Sequence, residues 1–512
     1  MRQYCNLLAG ILLAFWFSGC ATLPPRPETA HEPALPPPAA TPLAEVSQQF
    51  IEDHGETSSG FRLLLDARQA MLDRLALIDK AERSLDIQIF IWDGDAAGTL
   101  LFHRALLAAD RGVRVRIIAD DMGITAGNRD LVAMNTHPNL EIRVFNPNPS
   151  RDSTFGSMLE MLGSFKELNR RMHNKLMIVD NLAVIAGGRN IGNQYFGLGK
   201  KYNFFDIDVL ALGAVVSEAS MAFDDYWNHN AAYPFSKWTD LLPDNTLEEV
   251  EQEILTKLAS YSEEIAVFTE KISDWSAWYD ELGASLIPGE AHFLQDDPVP
   301  IDGREYRLVD MISYLTDPAT DEFLLSTPYL LPVGTFFEDI EAAHAKGIRI
   351  RFLTNSMAST NHTVVNSHYK KYRAPILEAG AELHELNYQP DPLVRDRADV
   401  APHRAGFISL HAKVFVVDRR VCFIGSLNFD PRALVINTEN GLLIESPELA
   451  EQLTEKLEIL LLPENSWQVA MDENGGLQWI SADKTVTRQP ARSGGQRITD
   501  FFGRLLPIED QL

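Results

Sequence analysis

Two histidine–lysine pairs carry the chemistry most plainly written in this sequence. His173, Lys175 and Asp180, in RMHNKLMIVDNLAVIAGGRNIG, have the same spacing as His411, Lys413 and Asp418, in SLHAKVFVVDRRVCFIGSLNFD. Each set spells His-x-Lys-x4-Asp, and each is followed by a Gly-x-x-Asn element, residues 187–190 and 425–428. One such match is weak, but two with the same downstream element are a strong signal. Side chains two apart on a strand share a face, so each histidine and its lysine point together. Asp180 and Asp418 fall at odd offsets, on the other face or at a turn, which implies support of the catalytic groups rather than direct chemistry. Val179-Asp180-Asn181 and Val417-Asp418-Arg419 read as hairpin tips, and the returning strands bring Asn190 and Asn428 back beside the pairs.

Two imidazoles and two ammonium groups converging on one point suit a phosphodiester. Lys175 and Lys413 would neutralise the non-bridging oxygens, and Gly188, Asn190, Ser426 and Asn428 would supply neutral contacts to the phosphate. One imidazole can attack phosphorus while the other protonates the leaving oxygen, and the roles then reverse for an incoming alcohol or water. No metal or cofactor is expected, because lysine supplies the positive charge and His-x-Lys puts a cation where a second ligand would stand.

The elements that position these residues occur twice. A helix over Arg68–Ala81, the strand LDIQIFIW, a helix through HRALLAADRG and the strand VRVRIIAD form the first series. A helix over Arg307–Leu315, EFLLSTPY, a helix through EDIEAAHAKG and IRIRFLTN form the second. The offset is 235 residues between Gly112 and Gly347 and 238 between His173 and His411, which indicates duplication of a whole α/β domain. The expected domains are residues 46–240 and 291–512. A helical connector, 241–290, lies between them, with Thr246 and Glu249 as a capping box. Its apolar stripe, Val250, Ile254, Leu258, Tyr261 and Ile265, is expected on the domain interface, and Trp275 and Trp278 read as packing or as lipid contacts. Residues 157–171 read as a helix near the cleft. His103, His229 and His344 read as structural. His362 and His368, with Lys370, Lys371 and Arg373, read as a head-group contact or a solvated helix face.

With 512 residues, 45% hydrophobic and 23% charged, the chain suits two substantial cores. A formal net charge of −27 weighs against nucleic acid as a partner. The three cysteines, Cys5, Cys20 and Cys422, give no disulfide framework, and Cys422 in VCFIG reads as a small buried hydrophobe. Arg2, an apolar run from Leu7 to Phe17 and then Ser18-Gly19-Cys20 suit a signal peptide over residues 1–20. This junction resembles the lipobox of bacterial lipoproteins, departing from it at Phe17, and implies lipidation of Cys20. Residues 21–45, with eight prolines from Ala21 to Ala44, read as an extended tether. Ala21 after the cysteine resembles lipoproteins sent to the outer membrane of Gram-negative cells.

From about Phe61 to Leu512 the sequence resembles the phospholipase D superfamily, in its bacterial cardiolipin synthase C-like branch. The resemblance rests on both His-Lys-Asp motifs, FIWDGDAAG, ADRGVRVRIIADD, FNP at 145–147, GGRNIG with Tyr195-Phe196-Gly197, and the closing LPIEDQL. It implies two phospholipase D-type α/β sandwich domains related by a pseudo-two-fold, with the active site at their interface. His173 would be the nucleophile and His411 the general acid and base. It also implies carboxylates that orient the histidines, for which Glu439 and Asp208 are the candidates, with Asp206 competing for the second place. The implied function is transfer of phosphatidyl groups among membrane phospholipids (phosphatidylglycerol, phosphatidylethanolamine or cardiolipin) through a phosphohistidine, by a lipoprotein on the periplasmic side of a membrane. The alternatives are a hydrolytic phospholipase D releasing phosphatidic acid, a nuclease, and a non-catalytic lipid-binding lipoprotein. The tail, with Phe501, Phe502, Leu505 and Leu506 between basic residues, reads as packing on the second domain or as an amphipathic membrane contact.

Overall fold

The computed structural model describes residues 26, 28–124, 127–147, 170–235, 245–270, 275, 277–298, 308, 319–506 and 509. The signal segment with Cys20, most of residues 157–171 and most of the expected helix Arg307–Leu315 lie outside these. The first half contributes β1 (Ser59–Leu64), β2 (Ser84–Ile89), β3 (Arg114–Asp120), β4 (Leu140–Phe145), β5 (Leu176–Val179), β6 (Ala183–Gly187), β7 (Tyr202–Phe205), β8 (Asp208–Gly213) and β9 (Ala232–Pro234). The second contributes β10 (Ile287–Gln295), β11 (Glu322–Ser326), β12 (Arg349–Asn355), β13 (Glu382–Leu386), β14 (Phe407–Leu410), β15 (Val414–Val417), β16 (Val421–Gly425), β17 (Asn440–Glu445) and β18 (Ser466–Met471). Two short strands, β19 (Leu477–Ile480) and β20 (Thr485–Val486), follow.

Both halves have the same topology. β2, β3 and β4 pair in parallel, β5, β6 and β8 add antiparallel on the other side of β2, and β9 closes the far edge. In the second half β11, β12 and β13 are parallel, β15, β16 and β17 follow antiparallel, and β18 takes the place of β9. Parallel neighbours need crossover helices. Ala96–Asp110 serves β2 to β3 and Phe336–Ala345 serves β11 to β12. Each ends through a left-handed glycine, Gly112 at φ 95° and Gly347 at φ 86°, which lets the chain turn into the next strand without a Cβ clash. The two sheets join at their edges, where β1 runs antiparallel to β10 with Ser59 opposite Gly289.

Three apolar cores result. One lies under the outer helices of each half, and the third lies between the sheets, where Ile178 and Val184 of the first half share a cluster with Val416, Cys422 and Ile424 of the second. Burial pushes the Cys422 thiol up to about 12, as expected of an inert packing residue.

Two boundaries differ from the sequence reading. The Pro-rich stretch is not a free tether along its whole length, because Glu32 straps it to the first half. Its backbone N–H donates to Asn228 Oδ1 (2.9 Å), its carbonyl accepts from Arg116 (2.8 Å), and its carboxylate meets Arg143 (3.1 Å) and the Trp227 indole (3.1 Å). A helix then starts at Pro42, capped by Thr41. The connector helix Leu247–Ser260 forms with the expected Thr246–Glu249 capping box. It packs on the outer helices Ala96–Asp110 and Asn128–Met134 of the first half, away from the domain interface. Trp275 and Trp278 are buried there and donate to Asp79 (2.9 Å) and Asp73 (2.8 Å), so they are not lipid contacts. Among the described residues no helix is long and apolar enough to cross a membrane.

Candidate active site

Each motif is a short strand with its histidine before one end and its aspartate beyond the other. Asp180 and Asn181 (φ 55° and 54°) and Asp418 and Arg419 (φ 51° and 50°) make left-handed turns between paired strands, the geometry that matches strand twist in tight hairpins. Asp180 accepts from the backbone N–H groups of Glu82 (3.0 Å), Arg83 (2.7 Å) and Ser84 (2.9 Å). Asp418 does the same for Thr320 (2.8 Å), Asp321 (2.8 Å) and Glu322 (2.9 Å). These carboxylates bind the hairpin tip to the start of β2 or β11, at the end of β5 or β15 away from the histidine. The third motif member is therefore structural in both halves and does not belong among the catalytic groups.

The histidines meet the opposite half. Met172 bridges Thr438, and His173 N–H donates to the Thr438 carbonyl (2.9 Å). Correspondingly, β14 runs parallel to β7 with Leu410 opposite Phe205, and His411 N–H donates to the Phe205 carbonyl (2.8 Å). Each histidine is thus clamped beside the segment that carries the other half's acid. His173 Nδ1 lies 2.9 and 2.8 Å from the two Glu439 oxygens, and His411 Nδ1 lies 2.5 Å from Asp206 Oδ2. An acid accepting Nδ1–H leaves Nε2 with the lone pair that can attack or take a proton. Lys175 Nζ donates to the His173 carbonyl and Lys413 Nζ to the His411 carbonyl, both at 2.5 Å. Phe90 stands edge-on to His173 (4.9 Å between ring centres), while Phe204 (4.5 Å) and Tyr195 (5.3 Å) wall His411.

Asp206, not Asp208, orients His411. Asp208 starts β8, where it accepts from Arg74 (2.7 Å) and from Arg189 N–H (3.1 Å) and lies 3.2 Å from the Arg189 guanidinium. The register explains the difference. Gly187 at the end of β6 pairs with Asp208, and Gly425 at the end of β16 pairs with Gly441. Two residues before each partner stand Asp206 and Glu439.

The expected phosphate-binding residues separate. Gly188 makes room for the acid, since a Cβ there would come within 2.2 Å of Asp206 Oδ1. The equivalent Ser426 fills that space with a hydroxyl donating to Glu439 (2.5 Å). Asn190 is committed to structure, accepting from Ile91 N–H (3.1 Å) and donating to Tyr195 (2.9 Å). Asn428 keeps a buried Oδ1 with no hydrogen-bond partner, so it has capacity for a ligand.

Burial dominates the electrostatics. It drives His173 well below its ordinary value, assisted by the cations Lys175, Lys413 and Arg432. Burial and Lys413 lower His411 to about 3 despite Asp206. Lys175 falls to about 7 and Lys413 to about 8, again chiefly by burial. Each lysine acts on the other half's histidine, so the four groups form one electrostatic unit. Burial alone would raise Asp206, but His411, Lys413 and Arg189 hold it well below the usual carboxylate range.

The sequence reading missed Asp120 and Asp430, both raised to about 6 by burial. Asp120 accepts from Met172 N–H (2.9 Å) and lies 3.5 Å from Arg171, positioning the segment ahead of His173. Its signal was the acidic pair closing the strand VRVRIIADD.

The family described as "Cardiolipin synthase, PLD-like domain" matches residues 75–227 and 312–461, one segment in each half. The chain belongs to the cardiolipin synthase group of the phospholipase D superfamily. It is 33% identical over 458 residues to cardiolipin synthase C of Escherichia coli K12, covering 86% of this chain and 93% of that protein. It is 23% identical over 434 residues to the major cardiolipin synthase of Bacillus subtilis 168, covering 83% and 73%. Its fold matches the crystal structure of phosphatidylserine synthase from Haemophilus influenzae, with a TM-score of 0.56 at 15% identity over 90% of this chain and 97% of that one.

Proposed function

We propose that this protein is a phosphatidyltransferase of the cardiolipin synthase type, acting on membrane phospholipids through a phosphohistidine. The observation that carries the reading is the exchange of acids across the interface, which holds both Nδ1 atoms and frees both Nε2 atoms beside two buried lysines. His173 Nε2 attacks phosphorus, the P–O bond to the leaving alcohol breaks, and His411 gives that oxygen its proton. His411 then takes the proton of an incoming lipid hydroxyl, whose oxygen displaces His173 and restores the phosphodiester. The negative charge of the bound phosphate opposes the cationic neighbours that depress His411, which favours the proton it must carry. Lys175 and Lys413 each commit one N–H to a backbone carbonyl and retain others for non-bridging oxygens. Glu439 and Asp206 steady the imidazolium and phosphoimidazolium charge. Lipidation of Cys20 would hold the enzyme at its substrate.

The test is mass spectrometry of lipids after incubation of the full-length protein with phosphatidylglycerol and phosphatidylethanolamine vesicles. Cardiolipin formed by wild type and absent with His173→Ala is the expected result. Phosphatidic acid alone would make the enzyme a hydrolase that uses the same residues. No lipid change with a folded wild-type protein would refute the proposal.

A further inference from the structure

The helix Gly494–Gly503 presents its polar face inward. Its buried residues are Gln496, Asp500 and Gly503. The Gln496 amide bonds the Met357 carbonyl, and Asp500 accepts from Lys370 (2.8 Å) and Gln489 (3.3 Å). Gly503 sits so close to the neighbouring helix Thr363–Tyr369 that a Cβ would lie 2.7 Å from Ser367 Oγ. The apolar side chains face solvent: Ile498 is 61% exposed, Phe502 61% and Leu505 62%, with Phe501 and Leu506 beside them. Five of the twelve exposed large hydrophobics among the described residues fall within these nine positions, so this is a patch and not the ordinary scatter of surface apolar groups.

Cations rim the patch in a chain whose net charge is −27. Lys370, Arg488, Arg497 and Arg504 line a cleft of about 260 Å³ under the helix. A neighbouring cleft of about 610 Å³ takes Lys371 as well, together with Glu509. Arg504 lies over the Phe501 ring, 4.5 Å from its centre. Apolar side chains beside arginine and lysine are the composition of a helix lying in a membrane interface. The patch also lies at the catalytic end of the sheet. Arg492, just ahead of the helix, stacks on Phe407 at 3.5 Å, and Phe407 opens β14, which runs to His411. Asn355 at the end of β12 donates to the Leu410 carbonyl (2.9 Å) in the same region.

We propose that Gly494–Gly503, with Leu505 and Leu506, docks on the surface of an anionic phospholipid bilayer and sets the catalytic cleft against the substrate's own membrane. This rests on the reading that the substrate is a phospholipid. The occupant is a lipid surface because apolar exposure coincides with basic residues in an otherwise acidic protein, and anionic head groups complement both.

The test uses the full-length chain on vesicles with brominated acyl chains, so that an N-terminal anchor is common to all variants. Phe502→Trp places a reporter in the patch. Met471→Trp places one at the far end of β18, which runs antiparallel to β13 and so ends away from the catalytic side. The fluorescence added by the first substitution should fall by about half or more in phosphatidylglycerol vesicles, and by less in phosphatidylcholine vesicles. That added by the second should be unaffected. Equal quenching of the two would overturn the proposal. So would a patch reporter shielded by concentration-dependent self-association with no lipid quenching. This readout needs no turnover, so it stands apart from the proposed reaction. A second arm uses Ile498→Ser/Phe502→Ser/Leu505→Ser. Turnover of bilayer phosphatidylglycerol should drop at least about tenfold while that of a monomeric short-chain analogue stays within about twofold. Parallel loss on both substrates would count against a docking role.

Discussion

Replacing Glu439 by glutamine tests the site at its most consequential contact. The carboxylate is fully buried, meets His173 Nδ1 with both oxygens at 2.9 and 2.8 Å, and accepts from Ser426 at 2.5 Å. Glutamine keeps the size and one acceptor but removes the charge. Two losses follow. The hydrogen bond to an imidazole that becomes cationic in the transition state changes from charged to neutral, at about 2 kcal/mol. An amide N–H facing Nδ1 also favours the tautomer with the proton on Nε2, where the lone pair is needed, for about another 2 kcal/mol. Together these raise the barrier by about 4 kcal/mol, roughly a thousandfold in rate. Rapid-quench measurement of phosphohistidine formation in a single turnover reads this step directly, with KM nearly unchanged because the acid acts through the imidazole. Thermal unfolding establishes that the variant is folded. A folded Glu439→Gln enzyme with a rate within tenfold of wild type would refute the argument that this carboxylate sets the tautomer.

The same geometry dictates the response to pH and to substitution of the paired acids. Lys175, lowered to about 7, and Lys413, lowered to about 8, are charged below those values and lose their protons above them. The kcat/KM on phosphatidylglycerol vesicles should therefore decline as pH rises through about 7 to 8. His173, already held neutral, should give no decline between pH 7 and 6, and an acid limb near 6.5 would contradict its depressed pKa. Asp208→Asn should act on stability, because it leaves the buried Arg74 and Arg189 without their charge partner. Chemical denaturation should show a loss of about 3–5 kcal/mol, whereas Asp206→Asn should lose activity with a smaller change in stability.

The doubled fold was legible because duplication writes the same periodicities twice, and the His-x-Lys pairs needed only strand alternation to be placed together. Asp180 and Asp418 were recognisable as turn residues, but their partners, backbone N–H groups about a hundred positions away, have no sequence signature. Asp206 stood only as the competitor of Asp208, because loops of unequal length separate the acids from their local histidines, 28 residues for Glu439 and 33 for Asp206. Aligning the apolar runs Val209-Leu210-Ala211 and Leu442-Leu443-Ile444 would have put Asp206 opposite Glu439, since sheet register follows the buried strand and not the loop. The docked strap at Glu32 was illegible for a different reason. Proline-rich composition predicts an extended backbone but says nothing about the ladder of Arg116, Arg143 and Trp227 that receives it.

The exchange of acids makes the two halves chemically inseparable, since each contributes a histidine whose orienting carboxylate lies in the other. The symmetry is nevertheless broken at one pair of positions. Ser426 donates to Glu439, so that carboxylate divides its charge between a hydroxyl and His173. Gly188 offers Asp206 no such donor, and Asp206 holds His411 at 2.5 Å. Asp206 takes its second hydrogen bond from the Ile207 backbone N–H instead (2.9 Å). Both rings are held neutral chiefly by burial, His173 with the help of Lys175, Lys413 and Arg432 and His411 with that of Lys413. The two motifs hold their histidines through the same kind of contact but support the acid differently, by a side-chain hydroxyl in one half and a backbone N–H in the other.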